Sequence, residues 1–347
     1  MAQLSVHEFL NQSKHLSILD VRSPAEYQSG HIPQAHNLPL FSNEERAQVG
    51  TLYKQAGRYR AILKGLDLVG PKMRKIVEQA HQLSVNAQVL VHCWRGGMRS
   101  ESVAWLLTTA GLQAHTLTGG YKTYRRAALG IYQQPLPIVI LGGATGSGKT
   151  EILQELRRWG EQVIDLEALA NHRGSAFGGI DQGKQPTSEQ FQNNLFEEWQ
   201  SLNLSQTIWL EDESFSIGRV QLPHEFWEHM KQAPVIVLEV PRPARVQRLV
   251  QEYGNLNPER LAQAIRTIER RLGGLRTQQA LQALEDKRLS HVADLLLEYY
   301  DRSYQRNLDR KPEYLCHPLH CPTGNAAENA RKIQEFANQI NHVSTLT

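Results

Sequence analysis

Residues 137–160, PIVILGGATGSGKTEILQELRRWG, constrain the fold more than any other stretch. An apolar run, Ile138–Leu141, leads into Gly143-x4-Gly148-Lys149-Thr150, and a helical pattern follows at once. A strand that enters a helix through a glycine-rich turn belongs to a parallel α/β sheet. The backbone N–H groups of Gly143, Ala144, Thr145, Gly146, Ser147 and Gly148 can converge on phosphate oxygens. Lys149 adds a point charge, and Thr150 can hold Mg2+. The pattern specifies a diphosphate-bearing ligand without specifying ATP.

A second strand-to-helix turn has related chemistry. VLVHCWRGGMRSES (89–102) runs from an apolar strand into Cys93, then Trp94, Arg95, Gly96, Gly97, Met98 and Arg99. The sulfur is expected at the carboxyl edge of a sheet. Glycine amides, two arginines and the following helix N-terminus surround it. Such surroundings lower a thiol pKa and favour thiolate at neutral pH.

The rest of the chain fits two α/β blocks. LSILDV (16–21) and QVLVHC (88–93) read as buried strands, and 70–83 and 100–111 as amphipathic helices. After QQPLP (133–137), EQVIDLE (161–167), TIWLEDE (207–213) and APVIVLEV (233–240) read as further parallel strands. The expected domains are 1–133 and 134–347, with a helical tail from about Ala262. The 347 residues suit two domains. Neither a spanning helix nor a signal peptide is visible, and three cysteines make no disulfide framework, so a reducing cytoplasm is expected.

Other features have two readings each. Asp212 is the first choice to position a metal or water beside the phosphate loop and Glu211 the second; both also fit ordinary strand-end acids. HRGSAFGG (172–179), with Arg173 and Ser175, fits a ligand-covering lid or a plain surface loop. CHPLHC (316–321) has poor zinc spacing and reads as a solvent-facing tail. The arginines recurring from Arg242 to Arg310 fit solvated helix faces or a surface tracking a nucleic-acid backbone. Trp94 fits a stacking platform for a base or a packing residue of its loop.

DVRSPAEYQSGHIPQAHNLP (20–39), together with Cys93, resembles the signature of rhodanese domains. There Asp20 and Arg22 have a structural role, and the cysteine carries sulfur. HCWRGGMRS is one residue longer than the usual sulfurtransferase loop and also satisfies the tyrosine-phosphatase pattern H-C-x5-R-[ST]. By itself it allows phosphatase chemistry or chalcogen transfer from a phosphate-bearing donor.

With EERAQVGTLYKQAG (44–57), GGATGSGKT, HRGSAFGG and LEDESFSIG (210–218), the chain resembles the bacterial tRNA 2-selenouridine synthases. The resemblance implies an N-terminal rhodanese-like domain and a P-loop NTPase-like parallel-sheet domain with a helical C-terminal extension. It implies a transferase acting on wobble 2-thiouridine of tRNAs for lysine, glutamate and glutamine. Geranyl diphosphate alkylates the sulfur, and selenophosphate then supplies the selenium that replaces it. Cys93 is then the nucleophile or selenium carrier, Arg99 binds phosphoryl oxygens, and residues 143–150 bind the diphosphate. A cysteine phosphatase fused to a P-loop kinase, and a silent rhodanese module regulating an ATPase, are the competing readings.

Overall fold

Strands of parallel sheets covered on both faces must be apolar throughout, and the central strands of this protein are. The computed structural model describes residues 2–174, 177 and 183–344. They form two compact units, Met1–Ile131 with Gln192–Glu197, and Tyr132–Phe191 with Glu198–Thr347.

The first unit is built on five parallel strands: β1 (Gln3–Leu4), β2 (Ile18–Asp20), β3 (His36–Asn37), β4 (Gln88–His92) and β5 (Gln113–Leu117), in the order β1-β5-β4-β2-β3. Val89, Leu90 and Val91 of central β4 are fully buried. Each such side chain contributes about 1.5–3 kcal/mol relative to exposure. Helix Met98–Thr109 leaves the Cys93 loop with Val103, Ala104 and Leu107 buried. The long helix Asn43–Val69 starts with a Ser42–Glu45 capping box and kinks at Gly57 (φ 85°).

The second unit carries β6 (Ile138–Gly143), β7 (Gln162–Ile164), β8 (Ile208–Glu211), a short antiparallel hairpin of β9 (Ser216–Ile217) and β10 (Val220–Gln221), then β11 (Val235–Glu239) and β12 (Cys316–His320). The five-stranded sheet is parallel, in the order β12-β11-β6-β8-β7. Every residue of β6 is buried, so this strand fixes where the phosphate loop begins. Helices Arg242–Tyr253, Pro258–Thr267, Gly274–Glu285 and Leu289–Leu308 supply the expected helical extension.

Two expectations for the tail are corrected. CHPLHC does not face solvent as a loose tail. Cys316–His320 pairs in parallel with all of β11, and Cys321 is fully buried against the core residues Ala330 and Ile333. The helical tail is therefore interrupted by a strand. The weak zinc possibility also fails. Among the described residues, the one group of three or more potential ligands within reach of a common ion is Glu167, Glu211 and Glu213. All three cysteines are free. No helix among the described residues is long and apolar enough to cross a membrane.

Candidate functional site

β4 ends at His92, and the chain turns sharply through Cys93–Gly97 before helix Met98–Thr109. The turn is locked from behind. Tyr121 and Lys122, at the start of helix Gly120–Gly130, donate backbone N–H bonds to the Cys93 and Trp94 carbonyls at 2.9 and 3.0 Å. Two glycines make the approach possible. A Cβ on Gly96 (φ 63°) would lie 2.5 Å from the Leu117 carbonyl oxygen, and one on Gly120 (φ 60°) would lie 2.4 Å from that of Cys93.

The Cys93 sulfur lies 3.2 Å from the Ser100 hydroxyl. Burial alone would push this thiol up. Hydrogen bonds from the Ser100 side chain and from the backbone at Gly97 and Ser100, with the Arg99 charge, outweigh it and hold the thiol below its ordinary value. Although Cys93 is only 3% exposed, it lines a cavity of about 710 Å³. Phe41, Val49, Ile62 and Leu66 form apolar wall there, and Arg46, Lys54, Arg58, Arg95 and Arg99 bring positive charge.

Arg99 donates to Glu26 at 2.7 Å, which fixes its guanidinium beside the loop. Gly97 and Met98 line the cavity with it. Trp94 faces two ways: it packs 5.6 Å from the Tyr121 ring and also lines the cavity. Behind the loop, fully buried Arg22 forms a two-pronged pair with Asp20, donates to the Gly30 carbonyl at 2.7 Å and stacks 3.8 Å above Tyr121. Asp20 and Arg22 therefore support the loop and do not enter the cavity.

In the second unit, β6 delivers the phosphate loop to the head of helix Lys149–Arg158. Gly148 adopts φ 83° at the N-cap, where a Cβ would meet the Arg248 guanidinium at 2.7 Å. The Ser147 hydroxyl is buried with no hydrogen-bond partner among the described residues. Lys149 Nζ donates to the Gly143 carbonyl at 3.1 Å and lies 3.9 Å from Glu211. The Thr150 hydroxyl donates to Glu211 at 3.4 Å. A cavity of about 410 Å³ opens here, lined by Gly143, Thr145, Gly146, Gly148, Lys149 and Thr150.

The comparisons with known proteins agree with both halves. Residues 4–127 match the rhodanese-like domain, and residues 136–258 match the tRNA 2-selenouridine synthase AAA domain. A tRNA 2-selenouridine synthase from Shewanella loihica is 36% identical over 334 residues, covering 85% of this chain and 88% of that one. Those of Nitrosomonas eutropha and Bdellovibrio bacteriovorus are 32% and 34% identical, each over 86% of this chain and 90% of their own. The chain belongs to the tRNA 2-selenouridine synthase family. It is an enzyme with the two-domain α/β architecture expected above.

In this member of the synthase family, Glu211, Asp212 and Glu213 all line the phosphate-site cavity. Asp212 forms an ion pair with Lys311 at 2.6 Å. Glu211 and Glu213 join Glu167, with ligand oxygens within 4.8 Å of one another. Burial and then the charges of Glu211 and Glu213 push Glu167 up to about 9. Burial followed by the Glu211 charge pushes Glu213 to about 7. The sequence reading gives Glu167 and Glu213 no site role, although Glu213 ends the same apolar run as Glu211 and Glu167 stands just after the strand in VIDLE.

Arg173 lines the same cavity and hydrogen-bonds to Tyr253, whereas Ser175 lies outside the described residues. Two of the recurring arginines serve the phosphate loop. Arg245 donates to the Thr145 carbonyl at 3.2 Å and pairs with Asp301; Arg248 pairs with Glu151. Others, Arg271, Arg276, Arg302 and Arg306, line a pocket of about 370 Å³ that shares Arg271, Tyr299 and Ser303 with the phosphate-site cavity.

Proposed function

We propose that this enzyme converts 2-thiouridine at the wobble position of tRNA to 2-selenouridine in two steps, using geranyl diphosphate and then selenophosphate. The acceptors are tRNAs for lysine, glutamate and glutamine, and the setting is the cytoplasm. The observation that carries this reading is that one chain of this family holds two strand-end anion loops of different chemistry. One is organised around a thiol, the other around a lysine.

In the first step the uridine sulfur attacks C1 of geranyl diphosphate. A C–S bond forms, the C–O bond to diphosphate breaks, and N3 gives up its proton to solvent. The departing diphosphate takes on negative charge, which the amides of 143–148 and the Lys149 ammonium stabilise. Thr150, Glu167, Glu211 and Glu213 offer the hard oxygen donors that Mg2+ takes. When bound, Mg2+ supplies further neutralisation of diphosphate charge.

In the second step Cys93 acts as nucleophile on the phosphorus of selenophosphate. The S–P bond forms, the P–Se bond breaks, and hydroselenide leaves. Arg99 and the loop amides bind the phosphoryl oxygens. Hydroselenide displaces geranylthiolate at C2, and water hydrolyses the phosphocysteine to phosphate and thiol. The sum is S-geranyl nucleoside, selenophosphate and water giving selenonucleoside, geranylthiol and phosphate. A loop one residue longer than that of sulfurtransferases suits a tetrahedral phosphoryl group.

The test is incubation of the protein with thiolated tRNA, geranyl diphosphate and selenophosphate, followed by mass spectrometry of digested nucleosides. Geranylated and then selenated uridine is expected. Absence of both, with brisk hydrolysis of aryl phosphates, would support the phosphatase reading instead.

A further inference from the structure

EERAQVGTLYKQAG (44–57) takes no part in the proposed reactions, yet it runs along the cavity that holds Cys93. From Arg46 to Leu66, helix Asn43–Val69 carries Arg46, Lys54, Arg58, Arg60 and Lys64 and no acidic residue. Arg46, Gly50 and Lys54 follow one another at four-residue spacing, which keeps them on one face of the helix. All three line the cavity. The kink at Gly57 changes the direction of the helix after Lys54, and Arg58, Ala61 and Ile62 beyond it line the same cavity.

Two features of this face do not follow from folding. Lys54 and Arg58 have no ion-pair partner among the described residues. Tyr53, also in the cavity wall, is 59% exposed. Arg46, by contrast, is tied down 3.6 Å from Glu26, whose carboxylate also holds Arg99 beside the thiol. The line of cations therefore begins next to Arg99 and continues along the helix to Lys54. The cavity, about 710 Å³, gives far more room than a tetrahedral oxyanion on the Cys93 loop takes up. Free cations beside an exposed aromatic ring suit single-stranded nucleic acid, whose phosphates meet the charge and whose bases stack on the ring. An anionic membrane is a poorer match, since these cations line a cavity and do not stand on a protruding face.

We propose that the face of helix Asn43–Val69 carrying Tyr53, Lys54 and Arg58 docks the single-stranded RNA that flanks the nucleoside presented to Cys93. Lys54 and Arg58 take phosphates, and Tyr53 stacks on a base. This docking rests on the reading of tRNA as the substrate, and binding by the wild-type protein separates the two.

Binding of tRNA to the full-length protein is measured by filter retention at several salt concentrations, and selenation of geranylated tRNA by nucleoside mass spectrometry. Lys54→Ala and Arg58→Ala should each weaken binding and make the slope of log affinity against log salt shallower by about 0.7. Tyr53→Ala should weaken binding about 10-fold or more with no change of slope, and Tyr53→Phe should restore it. In selenation, all three alanine variants should raise the KM for RNA more than they lower kcat. Lys14→Ala, which removes an exposed cation outside the cavity, should change neither affinity nor slope. Wild-type affinity and slope in all three alanine variants would overturn the docking face and leave the tRNA reading intact. So would RNA binding that stays unmoved while the variants lose binding to phosphatidylserine vesicles, or lose protection of Cys93 from iodoacetamide by inorganic phosphate. The cations would then serve a membrane or the small oxyanion. Absence of tRNA binding by the wild-type protein would sink the substrate reading and the docking face with it.

Discussion

Cys93 and Ser100 lie seven residues apart, yet their side chains meet at 3.2 Å across the mouth of the loop. The turn Cys93–Gly97 and the first turn of helix Met98–Thr109 create that meeting. It converts a buried thiol, which burial would keep protonated, into one held below its ordinary pKa. Ser100→Ala should therefore move the inflection of Cys93 alkylation by iodoacetamide to higher pH. The rate against pH in wild type and variant is the measurement. An unmoved inflection would mean that the hydroxyl does not stabilise the thiolate.

The loop rests on the buried Asp20–Arg22 pair. Removing one partner of such a pair costs about 3–5 kcal/mol, because the other charge stays buried. Arg22→Ala should lower stability by that amount in urea unfolding. Burial raises the Asp20 pKa, but His92 and the hydrogen bonds and charge of Arg22 outweigh it, so the folded value lies below the unfolded one. Asp20 thus stabilises the fold fully above the ordinary carboxyl range. This contribution is lost as pH falls through the lower folded value, and wild-type and Arg22→Ala stabilities should converge at acid pH.

Gly120 has no space for a side chain: a Cβ would lie 2.3 Å from the Gly96 nitrogen. Gly120→Ala should force the 93–97 turn away from helix Gly120–Gly130. Selenium incorporation should fall sharply while geranylation by the other unit continues, as nucleoside mass spectrometry can show. Equal loss of both would mean that the substitution unfolds more than the turn.

Arg271 and Arg306 line the basic pocket with Arg276 and Arg302, which both pair with Glu298. If this face follows RNA phosphates, Arg306→Ala should weaken tRNA binding uniformly across sequences. It should also reduce the slope of log affinity against log salt by about 1. Filter binding at several salt concentrations measures both.

Much of this arrangement was legible in the sequence because the chemistry sits where buried parallel strands end. The unbroken apolar runs at 89–91 and 138–141 located both loops. β12 was not legible. An edge strand pairs on one side only and tolerates Pro318 and two histidines, so it lacks the apolar signature of its neighbours. The ion pair of Asp212 with Lys311 was not legible either. Lys311 lies 99 residues further along the chain, and a tight turn, in which Glu213 N–H donates to the Glu211 carbonyl at 2.9 Å, brings Glu211 and Glu213 together with Glu167. Thr145 in the phosphate loop and Glu151 just beyond it, which Arg245 and Arg248 contact, lie about a hundred residues away, and periodicity carries no record of such contacts.

The division of labour between Cys93 and Lys149 is tested most directly by one paired measurement. Folded Cys93→Ser and Lys149→Ala proteins are each given thiolated tRNA with both donors, and separately geranylated tRNA with selenophosphate. Cys93→Ser should accumulate geranylated nucleoside and form no selenated product from either RNA. Lys149→Ala should geranylate about 100-fold or more slowly, yet selenate tRNA that is already geranylated. Wild-type selenation by Cys93→Ser, or loss of both reactions in both variants, would contradict the account.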